Sequence, residues 1–396
     1  MKFLRDGSLV EFKAHNPSLP LDISAHQVKR LIRTNSTSVF FHIQVLPNST
    51  PSSFEVPSHP NPLLASLIQC FTHLLFTPTT LPPDRTTNHH IHLLPNVAPT
   101  NVHPYRYPHY QKCRIEWQVG EMLCYGFIQP SSGPFSSHVS YVKKKDSTWR
   151  VCIDFHALNS IIVHDHFSLP IINKLLDELV GASWFSKLEL RQGFHQICMN
   201  IKDIPKMAFR THHSHFEYRV MSFGLCNASS TFQATMNTIF APFLRKFVVV
   251  FFDDILVYSR SLQDHLLHLE QVFQTLHDDE FSLQNSKCLI GQRQLEYLGH
   301  IVSHAGISHE PSKIQAMLEW PKPFFVCNLH GFLGLSDFYH QFICGYASIV
   351  RPLNALLKLG SFHWTLEAQV AFNTLKRAMT EALVLALPSF SFPFYP

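Results

Sequence analysis

Asp253 and Asp254 stand side by side between two apolar runs, residues 246–252 and 255–258. Runs so rich in Val, Phe and Ile predict a β-hairpin with the acidic pair at its tip. Two adjacent carboxylates raise each other's pKa unless a cation neutralises them. Oxygen ligands of this kind suit Mg²⁺, which takes one or two protein carboxylates together with substrate phosphates. Asp is also a common turn residue, so the pair alone leaves a metal site and a plain turn both open. A third acid, Glu189, lies 64 positions upstream in a predicted strand over 186–190. If the two elements are sheet neighbours, three carboxylates meet, as two-metal phosphoryl transfer requires. An ordinary position on a strand surface is the other reading of Glu189. The densest basic element is Lys143-Lys144-Lys145, followed after a turn by Trp149-Arg150. It reads as a hairpin of strands 139–144 and 149–153. Lysine and arginine near a turn suit a triphosphate or a nucleic-acid backbone, and a solvated charged hairpin accounts for them equally.

The elements that must position these groups occupy the later part of the chain. Of its 396 residues, the first 110 hold 14 of the 26 prolines but one of the 14 glycines. Stretches 47–62 and 78–108 are dense in Pro, Ser, Thr, Asn and His, which predicts extended connections. A short helix over 24–33 and an apolar patch over 70–76 are the islands expected there. From about residue 111 the pattern becomes globular. Helices are predicted over 111–126, 228–244, 263–279, 313–320, 329–342 and 366–383, and a further strand over 293–302. Strands and helices mix without a βαβ alternation, so the predicted class is α+β.

Composition excludes several functions. Hydrophobic residues at 45% supply a sizeable core, and a net charge of +4 permits a nucleic-acid partner without demanding one. The 27 histidines add positive charge as pH falls through about 6.5. No run approaches 18 apolar residues, so no membrane span is predicted, and the N-terminus lacks the apolar core of a signal peptide. The nine cysteines are scattered with no C-x-x-C pair, which suggests neither a zinc knuckle nor a disulfide framework. A reducing intracellular compartment, cytoplasmic or nuclear, is expected. His89-His90 with His92, and His212-His213 with His215, have no companion ligands at finger-like spacing and read as polar loop positions.

In order along the chain, the motifs are Leu-Pro-Pro-Asp-Arg at 81–85, Pro-Tyr-Arg-Tyr-Pro at 104–108 and Pro-Phe-Ser-Ser at 134–137. The basic hairpin and Ala157-Leu158-Asn159 follow. Next come Phe185-Ser186-Lys187-Leu188-Glu189-Leu190-Arg191-Gln192-Gly193-Phe194-His195-Gln196-Ile197 and the run 206–212. Phe223-Gly224-Leu225, Phe251-Phe252-Asp253-Asp254-Ile255-Leu256, Tyr297-Leu298-Gly299-His300 and Phe332-Leu333-Gly334-Leu335 complete the set. Together, over about three quarters of the chain, they resemble the polymerase segment of a gypsy-type LTR retrotransposon polyprotein.

The resemblance implies a right-hand reverse transcriptase of fingers, palm and thumb, with an antiparallel palm sheet flanked by helices. It implies Glu189, Asp253 and Asp254 as catalytic ligands of Mg²⁺ (or Mn²⁺). Lys144 and Arg150 would hold the incoming deoxynucleoside triphosphate, and Phe194 would reject a 2′-hydroxyl. Phe223 and Gly224 would line the nucleotide pocket, and Lys287 would sit near the leaving pyrophosphate. Leu298 and Gly299 would belong to the primer grip. The partners would be an RNA or DNA template with its primer. The domains expected are a protease-to-polymerase linker, partly disordered, over 1–80; fingers and palm over 81–310; a thumb-like helical region over 311–360; and the start of a connection to a missing RNase H domain over 361–396. No protease motif and no RNase H acidic cluster is present, so neither activity is expected of these residues.

The departures from the family pattern are Glu189 for Asp, Ser222 and Ser229 for Pro, His156 for Arg and Ser147 for Gly. The extra methylene of Glu189 moves a carboxylate by about 1 Å, whereas metal geometry tolerates about 0.2 Å and a misplacement of about 1 Å costs about a hundredfold. The chain is therefore expected to be either an impaired RNA-directed DNA polymerase or a catalytically dead nucleic-acid-binding remnant of a degraded element.

Overall fold

The computed structural model describes residues 2–5, 8–11, 59–78, 80–103, 107–143, 149–168, 170–358 and 362–381. The chain divides into two compact units, Met1–Glu55 and Val56–Pro396. In the first unit, β1 (Lys2–Arg5) pairs antiparallel with β2 (Ser8–Glu11), Phe3 opposite Val10 and Leu4 opposite Leu9. The sequence pattern signals no such hairpin. The helix expected over 24–33 lies outside the described residues.

The second unit begins its described part with α1 (Pro62–Cys70). Asn61 caps it, its side chain accepting from Leu63 N at 2.9 Å, and Pro62 takes the first turn, where a missing N–H costs nothing. Leu64 on this helix is fully buried and packs against Gly291, whose lack of a Cβ makes the room. Arg191 Nη2 donates to Leu75 O at 3.2 Å and Leu283 N to Leu74 O at 2.7 Å. Residues 59–77 are thus packed onto the same core as the strands that follow, although their Pro-rich flanks read as a linker.

Next come α2 (His109–Cys124), β3 (Ile128–Pro130), β4 (Ser137–Lys143) and β5 (Trp149–Asp154). The short helices α3 (His156–Asn159) and α4 (Ile172–Asp177), the strand β6 (Trp184–Glu189), and the strands β7 (Ala208–Arg210) and β8 (His215–Tyr218) follow. A five-stranded sheet runs β3-β8-β7-β4-β5, antiparallel except for the β4–β7 pair. The β4–β5 hairpin is the basic element of the sequence, with Val142 opposite Arg150; its connecting residues 144–148 are not described.

The second sheet carries the acids. After α5 (Ala228–Ile239), strand β9 (Val248–Phe251) turns into β10 (Asp254–Ser259), which leads to α6 (Leu262–Asp278) and β11 (Leu289–Gln292). The order is β11-β6-β10-β9, antiparallel throughout. Period-2 alternation sends Val248, Val250, Ile255, Val257 and Leu188 to one core, against Phe232 and Met236 of α5 and Leu269 and Val272 of α6. Val249, Leu256, Tyr258 and Phe185 go to the other core. A sheet buried on both faces explains why 247–252 reads as an unbroken apolar run rather than an alternating one.

The second core is closed by β12 (Gln294–Tyr297), β13 (His300–Ser303) and β14 (Gly306–His309), and by α7 (Pro311–Leu318), α8 (Val326–Phe338), α9 (Tyr346–Leu357) and α10 (Leu366–Glu381). The single strand predicted over 293–302 is instead a hairpin, broken at Leu298-Gly299. Helix α9 falls within the helical region expected over 311–360 but is not one of the helices predicted individually, and it carries Pro352 within it. No helix among the described residues is long and apolar enough to cross a membrane.

Candidate active site

The β9–β10 connection has two residues, Phe252 and Asp253, since Phe251 pairs directly with Asp254. The acidic pair is therefore split: Asp253 is in the turn and Asp254 opens the strand, a correction to the expected tip of two acids. Two-residue hairpin loops need positive φ, and Phe252 supplies +50°. A phenylalanine is an unusual choice there, and a clamp holds it. Gln233 of α5, 1% exposed, accepts from Phe252 N at 2.8 Å and donates to Val250 O at 3.2 Å. The sequence reading missed Gln233. Its signal was a glutamine on the helix face shared by Phe232 and Met236, since a buried amide must find partners.

Glu189 ends β6 directly opposite Asp254. The two carboxylates thus project from one face of the sheet, and Asp253, one residue before Asp254, completes the group. Cross-strand like charges are destabilising unless compensated. Compensation comes from two lysines: Lys187 Nζ stands 3.3 Å from Asp254 Oδ1, and Lys287 Nζ bonds Glu189 Oε1. Lys187 lies two residues before Glu189, hence on the same face. Lys287 closes the 3-10 turn Asn285–Lys287 that precedes β11.

Asp253 has no such partner. Its Oδ1 is buried with no hydrogen-bond partner among the described residues. Burial first, then Glu189 and Asp254, push its carboxyl up to about 6, against a smaller opposing pull from Lys287. Gly193 makes this placement possible: a Cβ there would lie 2.7 Å from Asp253 Oδ1 and 3.0 Å from the Phe232 ring. Among the described residues no three His, Cys, Asp or Glu side chains converge as a metal cage. The donor chemistry nonetheless fits a hard cation such as Mg²⁺, which needs one or two protein carboxylates rather than a cage, and the bare buried Oδ1 of Asp253 is the group that fits it best.

Glu189, Asp253 and Lys287 face a cleft of about 660 Å³, whose lining also includes Gln192, Ser222 and Phe223, with an aromatic wall of Tyr125, Phe127, His195 and Tyr218. Phe194, 8% exposed, packs against Phe223 and Phe232, with ring centroids 4.5 and 5.2 Å apart. Gly224 takes φ +93°, and Asn159 fixes its loop, donating to Gly224 O at 2.7 Å and accepting from Cys226 N at 3.1 Å. That gives Ala157-Leu158-Asn159 a structural reason. Phe194, Gly224 and Asp254 are not among the residues lining the cleft.

The remaining expected residues are less closely gathered. Lys144 lies outside the described residues, and of Arg150 the backbone in β5 is described. Leu298 and Gly299 form the β12–β13 turn with φ +49° and +76°. Tyr339 donates to Gly299 O at 2.8 Å, and Tyr297 of β12 donates to Asp254 O at 3.3 Å, tying the turn's strand to the carboxylates. His89, expected in a polar loop, is 1% exposed and its ring bonds Thr231 Oγ1 at 2.8 Å.

Comparison with known proteins agrees with this architecture. Residues 142–302 match the family described as reverse transcriptase (RNA-dependent DNA polymerase). The chain is 37% identical over 317 residues to the retrovirus-related Pol polyprotein from transposon 297 of Drosophila melanogaster, covering 78% of this chain and 30% of that protein. It is 32% identical to the Pol polyprotein from the Drosophila transposon gypsy, over 70% of this chain and 29% of that one. The chain thus spans less than a third of the length of these relatives. Among solved structures, the foamy viral protease-reverse transcriptase in complex with RNA/DNA hybrid superposes with a TM-score of 0.71 at 19% identity, over 94% of this chain and 48% of that one. A second form of that enzyme, in complex with double-stranded DNA, gives 0.74 at 19% identity, over 94% of this chain and 63% of that one. The right-hand polymerase fold, the ordered motifs and these likenesses together identify the chain as a member of the reverse transcriptase family, the polymerase segment of a retrotransposon Pol polyprotein.

Proposed function

We propose that this chain is an RNA-directed DNA polymerase that adds deoxynucleotides to a primer 3′-OH, with Glu189, Asp253 and Asp254 holding two Mg²⁺ ions. The observation that carries this reading is the buried Oδ1 of Asp253, without a hydrogen-bond partner among the described residues, in the lining of the cleft, with Glu189 and Asp254 paired opposite each other. The bound ions would lower the pKa of the primer hydroxyl and stabilise charge on the transferring phosphoryl group. The protein's own part is positioning. Gln233 holds the Asp253 turn, and Gly193 leaves space for its carboxylate. Lys144 and Arg150, from the β4–β5 hairpin, would grip the triphosphate, bidentate contact being natural to arginine. Phe223 and Gly224 would bound the nucleotide, with Phe194 against Phe223 leaving no room for a 2′-hydroxyl. Lys287 would meet the pyrophosphate as the α-phosphate bond to it breaks. Leu298 and Gly299 would steady the primer end. The template-primer would be an RNA or DNA duplex held through its backbone; the solved foamy viral neighbours are in complex with RNA/DNA hybrid and with double-stranded DNA.

The test is primer extension on an RNA template with Mg²⁺, running the unmodified chain beside Glu189→Asp and Asp253→Asn. Extension by the unmodified chain, faster in Glu189→Asp and lost in Asp253→Asn, is the expected pattern. Duplex binding without extension by the unmodified chain or by Glu189→Asp would leave the chain a binding remnant.

A further inference from the structure

Lys187 has no part in the roles assigned above, yet it is half-buried and directed at an acid. It and Glu189 occupy the same face of β6, and Asp254 sits opposite Glu189, so Lys187 is the diagonal cross-strand neighbour of Asp254 at 3.3 Å. Lys287 reaches Glu189 from the opposite side, ahead of β11. Two of the three carboxylates are therefore neutralised by the chain itself, while the third, Asp253, keeps a buried oxygen without a hydrogen-bond partner among the described residues. The three do not converge as a cage among the described residues, and each ion pair holds its carboxylate against a lysine.

We propose that Lys187 and Lys287 are resident counter-ions of the carboxylate cluster, each holding one carboxylate until a divalent cation displaces it. This rests on the metal reading of the site and deepens it. A cation enters at Asp253, which gives up no internal partner. It then competes with Lys187 for Asp254 and with Lys287 for Glu189. Without a cation, the lysines offset the repulsion of acids placed opposite one another. With one, each ammonium is a like charge next to the ion and weakens its binding. Glu189 strengthens the second pairing, because its extra methylene extends the carboxylate toward Lys287. The displaced Lys287 is then available to an anionic group in the cleft.

The experiment titrates Mn²⁺ into the full chain without nucleic acid, reading free Mn²⁺ by electron paramagnetic resonance at fixed salt. Lys187→Met, Lys287→Met and Lys187→Arg run beside the unmodified chain. Each Met variant should bind Mn²⁺ about three- to tenfold more tightly, the range expected when a partly solvated like charge is removed from beside the ion. Lys187→Arg should stay near the unmodified value. Melting supplies a second readout. The Met variants should melt below the unmodified chain in chelator, and the gap should close in saturating Mn²⁺, because binding to the native state stabilises it. A purely structural lysine would leave that gap open. Unchanged or weaker Mn²⁺ binding in both Met variants would overturn the counter-ion role and leave the metal site standing. Absence of Mn²⁺ binding in every chain would overturn the metal reading and this inference with it.

Discussion

Asp253 is a carboxylate whose surroundings oppose its charge. Its folded pKa of about 6 lies above the ordinary value of 3.8. The native state therefore binds more protons than the unfolded chain between about pH 4 and 6, and this group's contribution to stability falls as pH rises through that window. Above it, the ionised form carries a penalty of about 1–2 kcal/mol after allowance for partial solvent screening. Asp253→Asn should accordingly raise the melting temperature of the metal-free chain at pH 7, and the gain should fade toward pH 4; melts across that range check both the sign and the window. Gly193→Ala should do the reverse of a harmless change. Its methyl would lie 2.7 Å from Asp253 Oδ1, and the displaced carboxylate should cost about a hundredfold in kcat with primer-template KM little changed. At this scale much was legible. Glu189, Asp253 and Asp254 were named from type and order, Lys287 and Phe223 from the family resemblance; Glu189, Asp253, Lys287 and Phe223 line one cleft, and Asp254 pairs with Glu189. Gln233 and Lys187 were not singled out, because each acts through a cross-strand or helix-to-turn contact that spacing in sequence does not display.

The hairpin β9–β10 depends on its clamp. Replacing Gln233 by Met keeps the volume but strands Phe252 N, and a buried donor left unsatisfied costs about 1–3 kcal/mol. Denaturant unfolding should show that loss, and steady-state extension should show a lower kcat, since the turn that bears Asp253 loosens. A clamp without consequence for kcat would mean the strand pairs alone set the turn. The helix expected over 263–279 is α6, within a residue at each end, and Ser261 caps it, its hydroxyl accepting from Asp264 N at 3.1 Å. Element boundaries were obscure where tertiary contacts override propensity. Leu298 at φ +49° is a poor turn residue in isolation, and Tyr339, 41 positions on, holds the turn through Gly299 O. Helix α9 forms across Pro352 because Val350, Leu353 and Leu356 are buried in the second core.

Across the whole second unit, burial of histidine sets the acid limit. His89, His265 and His309 are each lowered to about 4, chiefly by burial. A histidine whose folded pKa lies below its unfolded 6.5 favours the native state above that pH, and the advantage is lost as pH falls from about 6.5 toward 4. Three such groups outweigh the opposite trend of Asp253, so melting temperature should fall steeply between pH 6.5 and 5. A flat profile there would contradict the buried neutral rings, including the Ser186–His265–Ser259 bridge at 2.7 and 2.9 Å. The sequence pattern showed none of this, since 27 histidines read alike until packing separates them.

The most direct measurement is single-nucleotide primer extension on an RNA template with Mg²⁺, comparing the unmodified chain with Asp253→Asn. Extension by the unmodified chain and its loss in the variant, with duplex binding retained by both, is the predicted result. Extension that persists in Asp253→Asn, or silence from the unmodified chain while it grips the duplex, would contradict the account.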